Sequence, residues 1–408
     1  MQTERTINNY FQWFVLLGII LGRYVEVGFV FLLLLICKRK YNCLKVFALG
    51  LCLCIHFYIA DTITNYPSDK FWQQFLTILI LLLGYYQFFH NYVSSISELW
   101  RKYMKIALWC CYIGYVQYLI FYVTGNDYIG HIFSQQELVE TRVRMTSVFL
   151  EPGNFAAFLV PAVSYSFFGY SEDIYRKFEK SAVLLALLLS FTTIGYFMLL
   201  VIFIYRYRKT LLKYIWFFIF PLIAFGGFVV NYSITGEKTN FSYLDTMLLK
   251  FSNSYQMLGN LSYDLLAQSG DASTFAIFSN LWVADNSPCR LIGTGLGTHE
   301  YNYVNLFRDP SNYFYGLNMT DAYSLFTRIF SEFGYVGLVL GLLYLYRYHN
   351  LKNPVNVAVL FNFISLLIRG GSYFMYGVIF FLYIYYYTSK GRKLLRNGEE
   401  ENKKYFSN

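Results

Sequence analysis

Two arginines and a carboxylate stand just ahead of an apolar run, in Arg142-Val-Arg144-Met-Thr-Ser147-Val-Phe-Leu-Glu151-Pro152-Gly153. The residue before a proline avoids α geometry, and proline suits the first turn of a helix. Glu151 is therefore expected at or near the N-cap of a helix that begins at Pro152. The positive end of that helix favours the ionised carboxylate, and Arg142 and Arg144 would pair with it or with an anionic ligand. One reading is a juxtamembrane salt bridge. The other is a site, because charges so close to hydrocarbon are costly and usually mark a pathway or a binding place.

Asp321, Leu325, Arg328 and Glu332 are spaced four, three and four apart, which would put three charges on one helix face. A charged stripe on a spanning helix should face a cavity or a partner helix, either as a self-neutralising ladder or as part of a site. Arg369-Gly370-Gly371-Ser372-Tyr373 sets a third arginine beside glycines that loosen the backbone. His299 follows Gly293-Thr-Gly295-Leu-Gly297-Thr, a run that reads as a flexible turn able to carry it to a chosen place, although a lone loop histidine is also at home in solvent. Arg23 and Glu26, near a break in the first apolar stretch, are expected to form an intramembrane ion pair. From residue 125 onward, the basic residues placed on the outer side are Arg142, Arg144, Arg290, Arg308, Arg328 and Arg369, with only Lys238 and Lys250. Arginine's planar fork binds phosphate at two points, whereas lysine is a point charge. The bias suggests a phosphate or pyrophosphate ligand.

The elements that must position these residues are membrane helices. Of 408 residues, 56% are hydrophobic and 14% charged, with mean hydropathy +0.39, too apolar for a soluble globule of this size. Apolar runs able to cross a hydrocarbon core of roughly 30 Å recur along the chain. Many of the 41 tyrosines lie at their ends, where a ring with a polar tip is favoured; an AT-rich genome would raise Tyr and Phe as well. The net charge of +9 gathers in Lys38-Arg39-Lys40, Arg101-Lys102, Arg206-Tyr-Arg208-Lys209 and Lys390-Gly-Arg392-Lys393. These loops are expected to be cytoplasmic, so the charge orients the chain and no nucleic-acid partner is implied. No cleavable signal peptide is expected. The seven cysteines offer neither a disulfide framework nor metal-ligand spacing, and no cofactor is expected.

The expected fold is all-α, a polytopic helical membrane protein with about 12 transmembrane helices, a large helical outer loop and both termini cytoplasmic. The spans are placed at 9–22, 24–37, 46–60, 71–91, 103–124, 153–170, 181–191, 193–205, 214–231, 322–346, 355–369 and 373–388. Residues 9–37 and 181–205 could each be one long helix or two short ones, and flanking basic residues favour two at 181–205. Residues 1–231 form an N-terminal transmembrane bundle, 232–321 the outer loop, 322–390 the C-terminal transmembrane helices and 391–408 a cytoplasmic tail. The loop is acidic, with eight Asp or Glu against four Lys or Arg. Within it, Asp271-Ala-Ser273-Thr274 ahead of Phe275-Ala-Ile-Phe278 predicts an N-capped amphipathic helix.

Three segments resemble the Wzy-type O-antigen and capsular polysaccharide polymerases (oligosaccharide repeat unit polymerases), relatives of the O-antigen ligases. Arg144-x-x-Ser147-x-Phe149-x-Glu151-Pro152-Gly153-Asn154-Phe155 is similar to that family's outer-face motif, and Arg142 with Gly153 fits its Arg-x10-Gly pattern. Leu291-Ile-Gly293-Thr-Gly295-Leu-Gly297 resembles the glycine segment late in the outer loop. Ser324 to Gly337 resembles the helix that re-enters the membrane. There are departures: Phe275-Ala276-Ile277 lacks an arginine common in relatives, only one Arg-x10-Gly occurs, and Asp321 stands where ligase-like members often have histidine.

The resemblance implies a metal-independent glycosyltransferase in the bacterial cytoplasmic membrane, acting on its outer face. It would polymerise polyprenyl-pyrophosphate-linked oligosaccharide repeat units, with a chain-length regulator and a flippase as further partners. Arg142, Arg144 and Arg369, with Arg328 and Arg290, would hold the pyrophosphate, and Glu151, Asp321 or His299 would serve as base. The alternatives are an O-antigen ligase and a non-enzymatic flippase of lipid-linked oligosaccharide.

Overall fold

Breaks in the apolar sequence decide where each helix ends. A computed structural model of the protein describes residues 2–37, 41–125, 138–139, 142–168, 174–235, 245, 248, 252–257, 262, 266, 272–308, 312–374 and 376–390. Gly22, at φ 100°, divides the first apolar stretch into α1 (Gln2–Leu21) and α2 (Arg23–Ile36), which pack on one another. Then come α3 (Leu44–Thr64), α4 (Asp69–Tyr92) and α5 (Ile96–Thr124), followed by a short antiparallel pair, β1 (Leu138–Val139) and β2 (Arg142–Val143). Beyond it run α6 (Pro152–Phe167), α7 (Lys177–Leu189), α8 (Thr193–Lys213) and α9 (Ile215–Thr235). Residues 181–205 are thus two helices, parted where Phe191 takes φ 46° and the Thr192 hydroxyl accepts from the Gly195 N–H at 3.1 Å. The later helices are α10 (Ala272–Asp285), α11 (His299–Leu306), α12 (Leu325–Arg347), α13 (Pro354–Ile368) and α14 (Val378–Tyr387).

The chain is helical, and among the described residues three helices, α3, α5 and α12, are long and apolar enough to cross a membrane. This makes it a membrane protein. The expected count of about 12 such helices is not reached. At 1.5 Å per residue, α13 and α14 extend only about 22 and 15 Å, and α8 carries Arg206-Tyr-Arg208-Lys209 in its second half. An apolar run alone does not distinguish a spanning helix from one that is short and buried in protein.

Burial explains where that apolar character goes. α6 carries no charged residue and is covered nearly all round, with Phe155, Leu159, Val160 and Val163 at its heart. It packs against α13, α7 and α8, while α14 packs against α4. One core runs from Val15 to Tyr385, so the first and last helices share it. A separate small core joins Phe275, Phe278 and Val283 of α10 to Tyr303 and Phe307 around α11. The helix expected after Asp271 is present as α10, while its proposed cap at Asp271 lies outside the described residues.

α12 is broken at Gly334, where φ is 62° and ψ −160°. A break leaves backbone groups that hydrocarbon cannot satisfy, and the 290–295 loop supplies their partners. Thr294 and Gly295 donate to the Ser331 and Glu332 carbonyls at 3.1 and 2.9 Å, while Tyr335 and Val336 donate to Arg290 and Leu291 at 3.0 Å each. A Cβ on Gly293 would stand 2.3 Å from the Glu332–Phe333 peptide. The glycine run is therefore a docking surface for a broken helix, not a flexible turn that delivers His299.

Gly293→Ala should lower stability by on the order of 2–4 kcal/mol, combining a left-handed φ of 74° with the clash. Gly341→Ala in the same helix, with open space around it, should be neutral or slightly stabilising. Thermal unfolding of the purified variants in detergent checks both; equal midpoints would mean that the loop does not dock.

Candidate functional site

The connection from α13 to α14 gathers charges from several elements. α13 ends with Arg369 in extended geometry, its N–H bonded to the Ser365 carbonyl at 2.8 Å. Gly370 then turns at φ 109° and donates to the Tyr323 carbonyl at 2.9 Å. A Cβ on Gly371 would lie 1.5 Å from the Asp321 carbonyl oxygen, so only glycine lets this connection lie against the 321–324 turn. The close approach sets the Arg369 guanidinium 4.3 Å over the Tyr323 ring, with Nη2 3.6 Å from Glu151 Oε2. The two side chains are 31% and 56% exposed, so the pair is open to a ligand.

Glu151 stands where its sequence placed it, as the extended N-cap of α6 with Pro152 in the first turn. Its described partner is Arg369, from the far end of the sequence. Arg144 is half-buried just beyond β2, and the side chain of Arg142 lies outside the described residues. Gly153, Asn154, Ala157, Asn362, Arg369 and Tyr376 line a narrow cleft between α6 and α13.

Behind this cleft lies a fully paired arginine. Arg328 Nε meets Glu332 Oε1 at 3.1 Å, Nη1 donates to the Gly371 carbonyl at 3.1 Å, and Nη2 donates to Gln74 Oε1 of α4 at 2.8 Å. Its guanidinium lies 4.4 Å over Tyr373, whose hydroxyl donates to Glu332 Oε2 at 3.0 Å. Both charged side chains are almost wholly buried, at 3% and 1% exposure. Asp321 does not extend the helical stripe. α12 starts at Leu325 under a Ser324 cap, and Asp321 sits in the preceding turn, where Ala322 and Tyr323 take φ near 60°. There its Oδ1 accepts from the Tyr323 N–H at 3.2 Å and the Asn318 amide at 3.1 Å. Its short polar side chain satisfies the backbone of a turn that a helix could not continue through.

His299 starts α11 but is fully buried, with Nε2 bonded to Asn280 Oδ1 at 2.9 Å. The Asn280 amide donates to the Ala276 and Leu317 carbonyls, which assigns the Nε2 proton to the imidazole. Burial, with a smaller push from Arg328, lowers its pKa to about 3, so the ring stays neutral at pH 7. The unfolded chain, with the ordinary value of 6.5, protonates first. Stability is therefore full above about pH 6.5 and falls, by roughly 1.4 kcal/mol per pH unit, as pH drops towards 3. His299→Gln should remove that slope between about pH 6.5 and 4.5; unfolding midpoints across that range decide it, and an unchanged slope would place its cause elsewhere.

The remaining predicted cations lie apart from the cleft's described partners. Arg290 pairs with Asp285 at 3.4 Å and is half exposed, and Arg308 donates to the Asn305 carbonyl at 2.6 Å. Arg23 and Glu26 do not pair. Glu26 is buried and accepts from the Tyr85 hydroxyl at 2.5 Å, while Arg23 lies 4.3 Å over Phe374. Among the described residues no group of three or more His, Cys, Asp or Glu could hold a metal ion.

Glu151, Arg369, Arg328 and Glu332, singled out in three separate stretches of the sequence, meet around one connection, while Tyr323, Gln74 and the role of Tyr373 were not foreseen. The signal for Tyr373 was its place in Arg369-Gly370-Gly371-Ser372-Tyr373; nothing local marks Gln74 or Tyr323. Fold and site together define a helical membrane protein with arginine–carboxylate pairs clustered around one interhelix connection. No protein-family model, curated protein or solved structure matches the chain.

Proposed function

We propose that the protein is a membrane glycosyltransferase that polymerises polyprenyl-pyrophosphate-linked oligosaccharide repeat units into O-antigen or capsular polysaccharide. It works in the bacterial cytoplasmic membrane with the cleft facing outward, alongside a chain-length regulator and a flippase. The observation that carries this reading is the meeting of Glu151 and Arg369, half exposed at a cleft where the family-like motif meets the end of α13.

An acceptor sugar hydroxyl attacks the anomeric carbon of the donor chain. The new glycosidic C–O bond forms as the bond to the pyrophosphate oxygen breaks, and polyprenyl pyrophosphate leaves with that electron pair. Glu151 takes the proton of the attacking hydroxyl, and Arg369 balances the charge that develops on the leaving pyrophosphate. Arg328 does not meet the substrate. Bonded to the Gly371 carbonyl and stacked on Tyr373, it holds the connection that carries Arg369.

Glu151→Gln should cut polymer formation by roughly 10²–10⁴-fold at normal protein levels. Asp321→Asn, which keeps the turn's acceptor oxygen, should have little effect. Surface-glycan gels from complemented cells read both. A polymer-forming Glu151→Gln beside an inactive Asp321→Asn would transfer the base to Asp321.

A further inference from the structure

The connection that positions Arg369 also carries a second aromatic platform. Adjacent rings, Tyr373 and Phe374, lie edge to face with centroids 6.2 Å apart. Arg328 stacks on the first at 4.4 Å, and Arg23, the first residue of α2, stacks on the second at 4.3 Å. Phe374 itself is buried, and Arg23 is half-buried against it.

The three arginines around this connection differ in what balances them. Arg328 has Glu332, Gly371, Gln74 and Tyr373, and Arg369 has Glu151. Among the described residues, no carboxylate lies within 4.0 Å of Arg23, and its Nε and Nη atoms make no hydrogen bond. A cation in the first turn of a helix also opposes the helix dipole. A half-buried guanidinium with five donors, held over an aromatic face and without a counter-charge among the described residues, is placed to take an anion.

We infer that Arg23 is an anion-binding residue of the same site, contacting the diphosphate of the lipid-linked substrate together with Arg369. The inference rests on the proposed polymerase reading, because that reading supplies the diphosphate. The chain segment 369–374 links the three cations: it bears Arg369, its Gly371 carbonyl accepts from Arg328, and its Phe374 ring supports Arg23. Two half-buried forks of fixed orientation suit a diphosphate better than a single phosphate, since each can take two oxygens.

The test is titration of the full chain in nanodiscs with inorganic pyrophosphate, with polyprenyl diphosphate and, separately, with phosphatidylglycerol in the disc. Arg23→Gln should weaken both diphosphate probes about tenfold. Arg23→Lys, which keeps the charge but loses the fork, should weaken them about threefold and carries the test if the glutamine variant does not fold. Arg369→Gln is the reference. Diphosphate binding that falls in Arg369→Gln but stays within twofold in both Arg23 variants overturns the role of Arg23 and leaves the polymerase reading standing. A wild-type chain that binds neither diphosphate probe overturns both. Arg23 variants that change only the response to phosphatidylglycerol overturn the diphosphate assignment in favour of a membrane lipid headgroup.

Discussion

Cells carrying Arg369→Ala in place of the wild-type chain are expected to lose the long surface-glycan ladder, with polymer formation down roughly 10²–10³-fold and protein levels unchanged. The two halves of that expectation have separate causes. The Arg369–Glu151 pair is about one-third and one-half exposed, and ion pairs so placed contribute little to stability. What Arg369 offers is a fixed positive charge at a cleft, held over Tyr323 by a connection that Gly370 and Gly371 let lie flat. Removing a preorganised charge from a reacting centre costs rate, not fold. Arg369→Lys should recover only part of the activity, because a point charge does not reproduce a two-point fork. A ladder of normal length in Arg369→Ala cells would remove this residue from the mechanism.

The buried pair should behave in the opposite way. Glu332→Ala is expected to destabilise the protein by about 3–5 kcal/mol, since it strands the Arg328 charge where exposure is 3%. It also removes the acceptor of the Tyr373 hydroxyl. Arg328→Met combined with Glu332→Leu should be closer to wild type in stability than either single change, because no unpaired charge remains. The double variant should nevertheless polymerise poorly, because the tether from Arg328 to the Gly371 carbonyl is gone. Unfolding midpoints and glycan gels on the three variants separate the structural role from the positioning role. A double variant as unstable as Glu332→Ala would show that the pair is not the source of the loss.

Local sequence rules placed the parts of the site that depend on neighbours in the chain. Glu-Pro fixed an N-cap at Glu151, and a spacing of four placed Arg328 against Glu332. They failed where a residue's partner is distant. The Glu151–Arg369 and Arg328–Gln74 contacts join residues more than two hundred positions apart. Periodicity carried Asp321 onto the helix, but Ser324 is the better cap and the φ values of Ala322 and Tyr323 end the pattern. The glycine run Gly293–Gly297 looked flexible because a sequence does not show the broken helix against which it packs. Likewise, apolar length set the expected number of spans, while packing in the shared core accounts for the short helices α13 and α14.

The most direct test of polymerisation is a gel of surface glycan from the native host with and without the gene. The account predicts loss of the long ladder while a single repeat unit stays attached to its carrier. A ladder that persists without the gene would contradict it. So would loss of every attached unit, which indicates ligation or flipping, with accumulated lipid-linked polymer marking the ligase.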